Sequence, residues 1–264
     1  MTIKKEHKTI AARFSSAAQT YHASATIQRS VAECLSAMLA GNEVFDRILE
    51  IGCGTGLLTA HLCRLFPCAK IDALDIADGM VTQCRARLVG ASGLHCHVAD
   101  LNTFRAKTLY PLIVSSSALH WMYPMADVME TLAGMLSGQG QLVFALMVRG
   151  TLVELQAARQ RVAPHKLPAR RLPTTHTVRA TLAHTGLRIE TEQEEYRRQV
   201  YASAGDLLRQ LHDQGLTGGP LARAGRLLNR ADLRRLALDY DRRYREGDGV
   251  YASYQVAYFR ARKA

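Results

Sequence analysis

Apolar residues recur every three or four positions between residues 9 and 39, at Phe14, Ala17, Ala18, Tyr21, Ile27, Val31, Leu35 and Met38. That period is helical, and Gly41-Asn42 ends it. From residue 47 the pattern changes. Short apolar runs at Arg47–Ile51, Lys70–Asp75, Leu94–Val98, Leu112–Ser115 and Gln141–Met147 read as buried strands. Helical segments alternate with them at Gly56–Leu65, Asp78–Leu88 and Met125–Leu136, and Pro67, Gly90–Gly93 and Ser137–Gly140 supply turns. This alternation predicts an α/β fold, a doubly wound and mostly parallel sheet with helices on both faces.

Beyond residue 150 the rhythm is different. Thr151–Val162 reads as helix, and Pro164, Pro168 and Pro173 then interrupt a basic, irregular stretch. Thr174–His184 reads as a helix capped by Gly186, followed by an extended strand at Leu187–Val200. Ser203–Gln214 has an N-cap serine with Asp206 in capping-box position, Gly215–Pro220 is a loop, and Asn229–Arg245 starts at an Asn cap. Val250–Arg260 alternates as a last strand.

The 264 residues fit one large domain, and 48% hydrophobic content excludes a disordered chain. No apolar run reaches the ~18 residues of a membrane span. The first eight residues are basic and lack an apolar signal core. None of the six cysteines forms a CxxC pair, which points to reduced thiols and a cytoplasmic setting. His95-Cys96-His97 reads as the edge of a strand, and no metal is expected.

The chemistry is concentrated at Ile48-Leu49-Glu50-Ile51-Gly52-Cys53-Gly54-Thr55-Gly56. A buried strand turns there into a helix through three alternate glycines, leaving backbone where side chains would block a ligand. A carboxylate at Glu50 gains nothing beside phosphates but suits a cationic or zwitterionic ligand. Asp75, at the end of strand 2, suits a ribose diol, and Asp100, after strand 3, suits an adenine amino group. Taken alone, Asp75 also reads as a helix cap and Asp100 as a solvated loop residue. Ser115-Ser116-Ser117 follows strand 4, where a reactive group would lie.

The E-x-G-x-G-x-G pattern resembles motif I of the class I S-adenosylmethionine-dependent methyltransferases. Arg13–Tyr21 with Ala25 and Ile27-Gln28-Arg29, Ala118-Leu119-His120-Trp121, Gly150–Leu155 and Leu207–Leu211 resemble, more narrowly, the malonyl-[acyl-carrier protein] O-methyltransferases of biotin synthesis. The resemblance implies a seven-stranded sheet within a single methyltransferase domain over 1–264. It divides the chain into an N-terminal helical lid over 1–41, a cofactor-binding core over 42–148 and a substrate-side cap over 149–264. Glu50, Gly52, Cys53, Gly54, Gly56, Asp75, Ile76, Met80, Asp100, Leu101, Ser115 and Gln28 are the expected contacts to S-adenosylmethionine. The chain departs from the family's pattern at Pro111, often Asp, at Ser116, often Asn, and at His120, usually Gln.

The implied reaction esterifies the free carboxylate of a malonyl thioester. That carboxylate arrives ionised and needs no general base, so the site must align it and exclude water. Candidates to hold it are Arg149, Arg170, Tyr21, Trp121 and His120. The net charge is +11, and residues 197–264 carry 14 Lys/Arg against 7 Asp/Glu. Nucleic acid, an anionic membrane, an acidic protein or plain solvation each suit a basic surface. With the resemblance, an acidic acyl carrier protein is the expected partner, and neither membrane nor nucleic acid is. A carboxyl methyltransferase of a free small acid and a cofactor-binding interaction protein are the alternative readings.

Overall fold

The structure is a computed structural model that describes residues 3–41, 43–166, 171–217 and 228–263. The chain runs α1 (Ile3–Ser24), α2 (Thr26–Leu39), β1 (Arg47–Ile51), α3 (Thr59–Leu65), β2 (Lys70–Asp75), α4 (Asp78–Arg87), β3 (Leu94–Val98) and β4 (Tyr110–Ser116). It continues through α5 (Met125–Met135), β5 (Leu136–Met147), α6 (Val153–Val162), α7 (Thr175–His184), β6 (Leu187–Tyr201) and α8 (Ala204–Asp213). The last elements are α9 (Arg230–Arg243), β7 (Arg245–Glu246) and β8 (Gly249–Lys263).

The strands lie in the order β3-β2-β1-β4-β5-β8-β6, with the two-residue β7 paired to β8. Pairing is parallel from β3 to β5, and β8 runs antiparallel to both β5 and β6. Strand order reverses between β1 and β4, which is where a doubly wound sheet opens a crevice.

Alternate residues of each strand face opposite layers, as the strand period requires. Ile48, Ile71, Leu112, Val114 and Val143 pack with α2, α3, α6, α8 and α9. Leu49, Leu74, Ile113, Leu142 and Phe144 pack with α5 and α7. In the second layer Phe144 and Phe259, cross-strand partners on β5 and β8, stack with ring centroids 5.2 Å apart.

Several sequence expectations need correction. The single helix over 9–39 is two helices that break at Ala25, whose ψ of 54° turns the chain. The ladder continues on either side, from Ala25 N–H to Tyr21 and from Arg29 N–H to the Ala25 carbonyl. One straight helix cannot bury both faces: α2 packs on the sheet, whereas α1 packs on α4 and α8 at the strand ends. The break lets each half bury its own.

The turn expected at Ser137–Gly140 lies inside β5, where a register shift between Tyr110 and Leu112 of β4 absorbs it and Gln139 takes φ +61°. Pro111 sits at that shift, a position where a missing N–H costs no ladder bond. Strand 4 therefore extends from Tyr110 to Ser116, and strands β6 and β8 each run 15 residues. Helix α9 ends at Arg243, and a hairpin through Gly247, φ +58°, adds β7 as an eighth strand. At the first loop the helix begins at Thr59, after a turn through the glycines. At the expected Ser203 capping box the serine accepts from the Asp206 N–H, while the fully reciprocal box forms at the expected Asn cap, Asn229 with Asp232. Asn42, residues 167–170 and residues 218–227 lie outside the described residues.

Candidate functional site

A cavity of about 910 Å³ opens at the carboxyl ends of the parallel strands. The glycine loop forms its floor. Gly52 and Gly54 take φ of +74° and +53°, a region that penalises any other residue. A Cβ on Gly52 would stand 2.2 Å from the Cβ of Ala118, so the loop lies directly against the exit of β4. A Cβ on Gly54 would meet nothing within 4 Å, so this stretch of the loop borders open space.

Asp75 fixes this floor. One carboxylate oxygen accepts the Gly54 N–H at 2.9 Å, and the other accepts the Ala77 N–H at 2.9 Å. Burial pushes its carboxyl above the usual range, opposed by those backbone N–H groups. The Ile76 backbone N–H is a third donor to this carboxylate, and with about four acceptor sites it keeps one for a ligand hydroxyl. Ile76, Met80, Leu101 and Asn102 make the neighbouring walls.

Helix α1 is the roof. The His7 ring nitrogen Nδ1 lies 2.6 Å from Asp100 Oδ2, the Ser15 hydroxyl donates to Asp78 at 2.6 Å, and His22 Nδ1 lies 3.0 Å from the Thr55 hydroxyl. Phe14 meets Trp121 edge-on at 5.3 Å and Tyr21 at 6.3 Å. Tyr21 also lines the cavity, and burial, reinforced by the charge of Asp75, pushes its phenol well up. Gln28 lines it as well, donating to Gln214 at 3.1 Å. The far half is apolar, with Leu152, Leu155, Leu208, Leu233 and Leu236 from α6, α8 and α9 and their approaches.

The expected contacts thus divide. Gly52, Gly54, Asp75, Ile76, Met80, Asp100, Leu101, Gln28, Tyr21, His120 and Trp121 line one cavity. Glu50, Cys53, Gly56 and Ser115 stand behind it. Glu50 is 1% exposed and its Oε2 has no partner among the described residues. Burial pushes its carboxyl up to about 8, against a hydrogen bond from Thr59 and together with the charge of Asp75. Cys53 turns away into a small cluster with Cys84. The Ser115 hydroxyl donates to the Ile51 carbonyl at 2.8 Å, tying β4 to β1, and the cavity instead meets Ser116 and Ser117. Arg149 is exposed and not among the lining residues, its backbone N–H bonded to the Pro173 carbonyl. Arg170 lies outside the described residues.

Sequence reasoning passed over His7, and from the Ser115-Ser116-Ser117 run it took Ser115 as the contact, whereas Ser116 and Ser117 meet the cavity. His7 sits at no motif spacing, since it meets Asp100 from 93 positions away.

This is the geometry on which the comparisons bear. A protein-family description, "Methyltransferase domain", matches residues 49–142, from β1 into β5. The malonyl-[acyl-carrier protein] O-methyltransferase of Geobacter sulfurreducens is 30% identical over 254 residues, covering 93% of this chain and 94% of that protein. The chain belongs to the malonyl-[acyl-carrier protein] O-methyltransferase family. A second member, malonyl-[acyl-carrier protein] O-methyltransferase 2 of Ilyobacter polytropus, is 24% identical over 96% of both chains. Among solved structures, a candidate methyltransferase from Bacillus halodurans superposes with a TM-score of 0.65 at 13% identity, over 89% of this chain and 99% of that one. The fold is that of the class I S-adenosylmethionine-dependent methyltransferases, in which the family belongs.

Proposed function

We propose that the protein transfers a methyl group from S-adenosylmethionine to the free carboxylate of a malonyl thioester carried by acyl carrier protein, an early step of biotin (pimeloyl) synthesis. The observation that carries this reading is the near-complete relationship to the Geobacter sulfurreducens protein, which bears that activity as its name. The residues present fit the donor. Gly54 leaves open space, Asp75 keeps an acceptor site at the ribose position, and Ile76 and Met80 supply apolar walls. We assign no metal. The six cysteines are free, in keeping with a reducing cytoplasm. Among the described residues no helix is long and apolar enough to cross a membrane.

When bound, the donor supplies a methyl group on a positively charged sulfur. The carboxylate oxygen forms the new O–C bond as the C–S bond breaks, leaving an ester and a neutral thioether. No proton moves, so the protein needs no base. Its part is alignment, which alone contributes ~7–11 kcal/mol in well-oriented systems. The roof made by α1 and the Phe14–Tyr21–Trp121 cluster keeps water from the reacting pair, and attraction between carboxylate and sulfonium strengthens in such a site.

Helix α9 supports the carrier assignment. Leu233 and Leu236 line the cavity while Arg230 and Arg234 stand exposed on the same helix, a basic surface at the edge of the apolar half. An acidic carrier would be steered to it.

The deciding experiment measures methyl transfer to malonyl-acyl carrier protein, malonyl-CoA and free malonate. The reading expects strong preference for the carrier form. Equal use of all three defeats it, and use of free acids alone favours a small-acid methyltransferase.

A further inference from the structure

Where β4 leaves the sheet, Ser116, Ser117 and His120 line the cavity with hydrogen-bonding capacity to spare. The hydroxyl oxygens of Ser116 and Ser117 are buried, with no partner among the described residues. Buried polar groups are normally satisfied, so two adjacent exceptions call for a cause. Ser117 also takes φ +57°, uncommon for a residue with a side chain, and its N–H is pinned to the Ala145 carbonyl at 2.8 Å. Backbone held in that region is typical of sites that aim a group at a ligand.

His120 follows within one turn. Its Nδ1 accepts the Met147 N–H at 3.4 Å, which leaves the ring proton on Nε2. Burial pushes the imidazole down to about 3, so the ring is uncharged at neutral pH. Ala118, between the serines and His120, touches the glycine loop at Gly52. The three groups therefore adjoin the place where the donor is expected. Guanidinium groups also line the cavity, at Arg13, Arg159, Arg171 and Arg209, but on other elements. Arg13 donates to the Thr217 carbonyl, Arg159 to the Lys166 carbonyl and Arg209 to Asp206.

The geometry points to Ser116, Ser117 and His120 as a cradle of uncharged donors that holds the acceptor's carboxylate against the glycine loop. The inference rests on the methyl-transfer reading and deepens it. A carboxylate has about four lone-pair sites, so three donors leave one free to attack. Uncharged donors orient the group without neutralising the charge that makes it a nucleophile, whereas a bidentate guanidinium would engage both oxygens. The same set would serve any carboxyl acceptor whose remainder fits the leucine-lined half.

The test uses His120→Gln, which keeps an uncharged N–H donor, His120→Leu, which removes it, and Ser116→Ala. Trp121 is the chain's one tryptophan and lies 5.7 Å from the His120 ring, so its fluorescence reports occupancy. Malonyl-CoA is titrated in the presence of S-adenosylhomocysteine, and KM is measured with malonyl-acyl carrier protein. Loss of a hydrogen bond to a charged group predicts about a tenfold or greater rise in both Kd and KM for His120→Leu. Ser116→Ala is expected to raise both in the same direction, and His120→Gln to recover most of the loss. Affinity for S-adenosylhomocysteine alone should stay within about twofold in all three. If the Gln and Leu variants behave alike, or S-adenosylhomocysteine affinity falls in parallel, the cradle is overturned while the substrate reading stands. Wild-type protein that neither binds malonyl-CoA nor methylates the carrier-bound group defeats both.

Discussion

Gly52 and Ala118 touch: the Cβ that Gly52 lacks would overlap the Cβ of Ala118 at 2.2 Å, and the backbone at Gly52 has φ +74°. The glycine loop and the exit of β4 are thus packed directly against one another. Gly52→Ala is expected to lose detectable binding of S-adenosylhomocysteine by calorimetry and to lower the melting temperature by several degrees, through strain of about 1–3 kcal/mol plus the clash. Adding Ala118→Gly should recover part of the loss, because it removes the overlap and leaves the backbone strain. Wild-type affinity in Gly52→Ala would remove this loop from the binding site.

Two buried groups give opposite pH signatures. Glu50 has its carboxyl raised to about 8 from an ordinary 4.5, so the folded chain keeps a proton that the unfolded chain releases. Its contribution makes stability fall as pH rises through that window, and Glu50→Gln should flatten the decline in ligand-free protein. His120 is lowered to about 3 from 6.5, so the unfolded chain binds the extra proton and stability falls as pH drops below 6.5. His120→Gln should flatten that acid limb. Melting curves at pH 5, 6.5 and 8 read both effects, and unchanged slopes in the variants would refute the assignments.

Helix α1 packs outside the two main core layers. It contributes instead to a small cluster with Ala77 and Met80, and a Cβ on Gly79 would press on the Ser15 carbonyl at 2.6 Å. Gly79→Ala is expected to lift α1, weaken cofactor binding about tenfold or more and speed amide exchange in residues 3–24, with little change in exchange of β1 and β4. Uniform acceleration across the chain would show that α1 is integral to the core.

The proposed carrier docking is tested through the charge on α9. Arg235 is already paired with Asp232, which also holds Lys166 at 2.5 Å, so reversing Arg235 would disturb a buried network. Arg230→Glu with Arg234→Glu is the cleaner test. KM for malonyl-acyl carrier protein should rise several-fold and lose its salt dependence, and malonyl-CoA kinetics should hold. Equal effects on both substrates would place the carrier elsewhere.

The parallel half of the fold was legible because each of its signals is local. Ile48 and Leu49 alternate between layers, Gly52 to Gly56 mark one turn, and Asp75 and Asp100 end their strands. The site's second half was not, because its contacts are made at long range. His7 reaches Asp100 across 93 positions, and Gly79 matters only because α1 crosses it. The break at Ala25 was hidden by helical periodicity that continues on both sides. Arg149 looked placed by its position just past β5, yet it is exposed and not among the cavity-lining residues. Ser115 looked suitable by sequence, but strand alternation aims it at Ile51, and the two serines after it meet the cavity.

Strand β8 lies between β5 and β6, and the described residues give β6 no other sheet neighbour. During synthesis, β5 and β6 emerge with nothing to bridge them until residues 249–263 arrive. A nascent chain can close the layer from β3 to β5, yet it must hold the 15-residue β6 and the amphipathic α8 open to solvent meanwhile. Late closure over so many residues makes for slow folding. The interval in which those edges stand bare is when this enzyme is most exposed to mispairing and to the cell's chaperones.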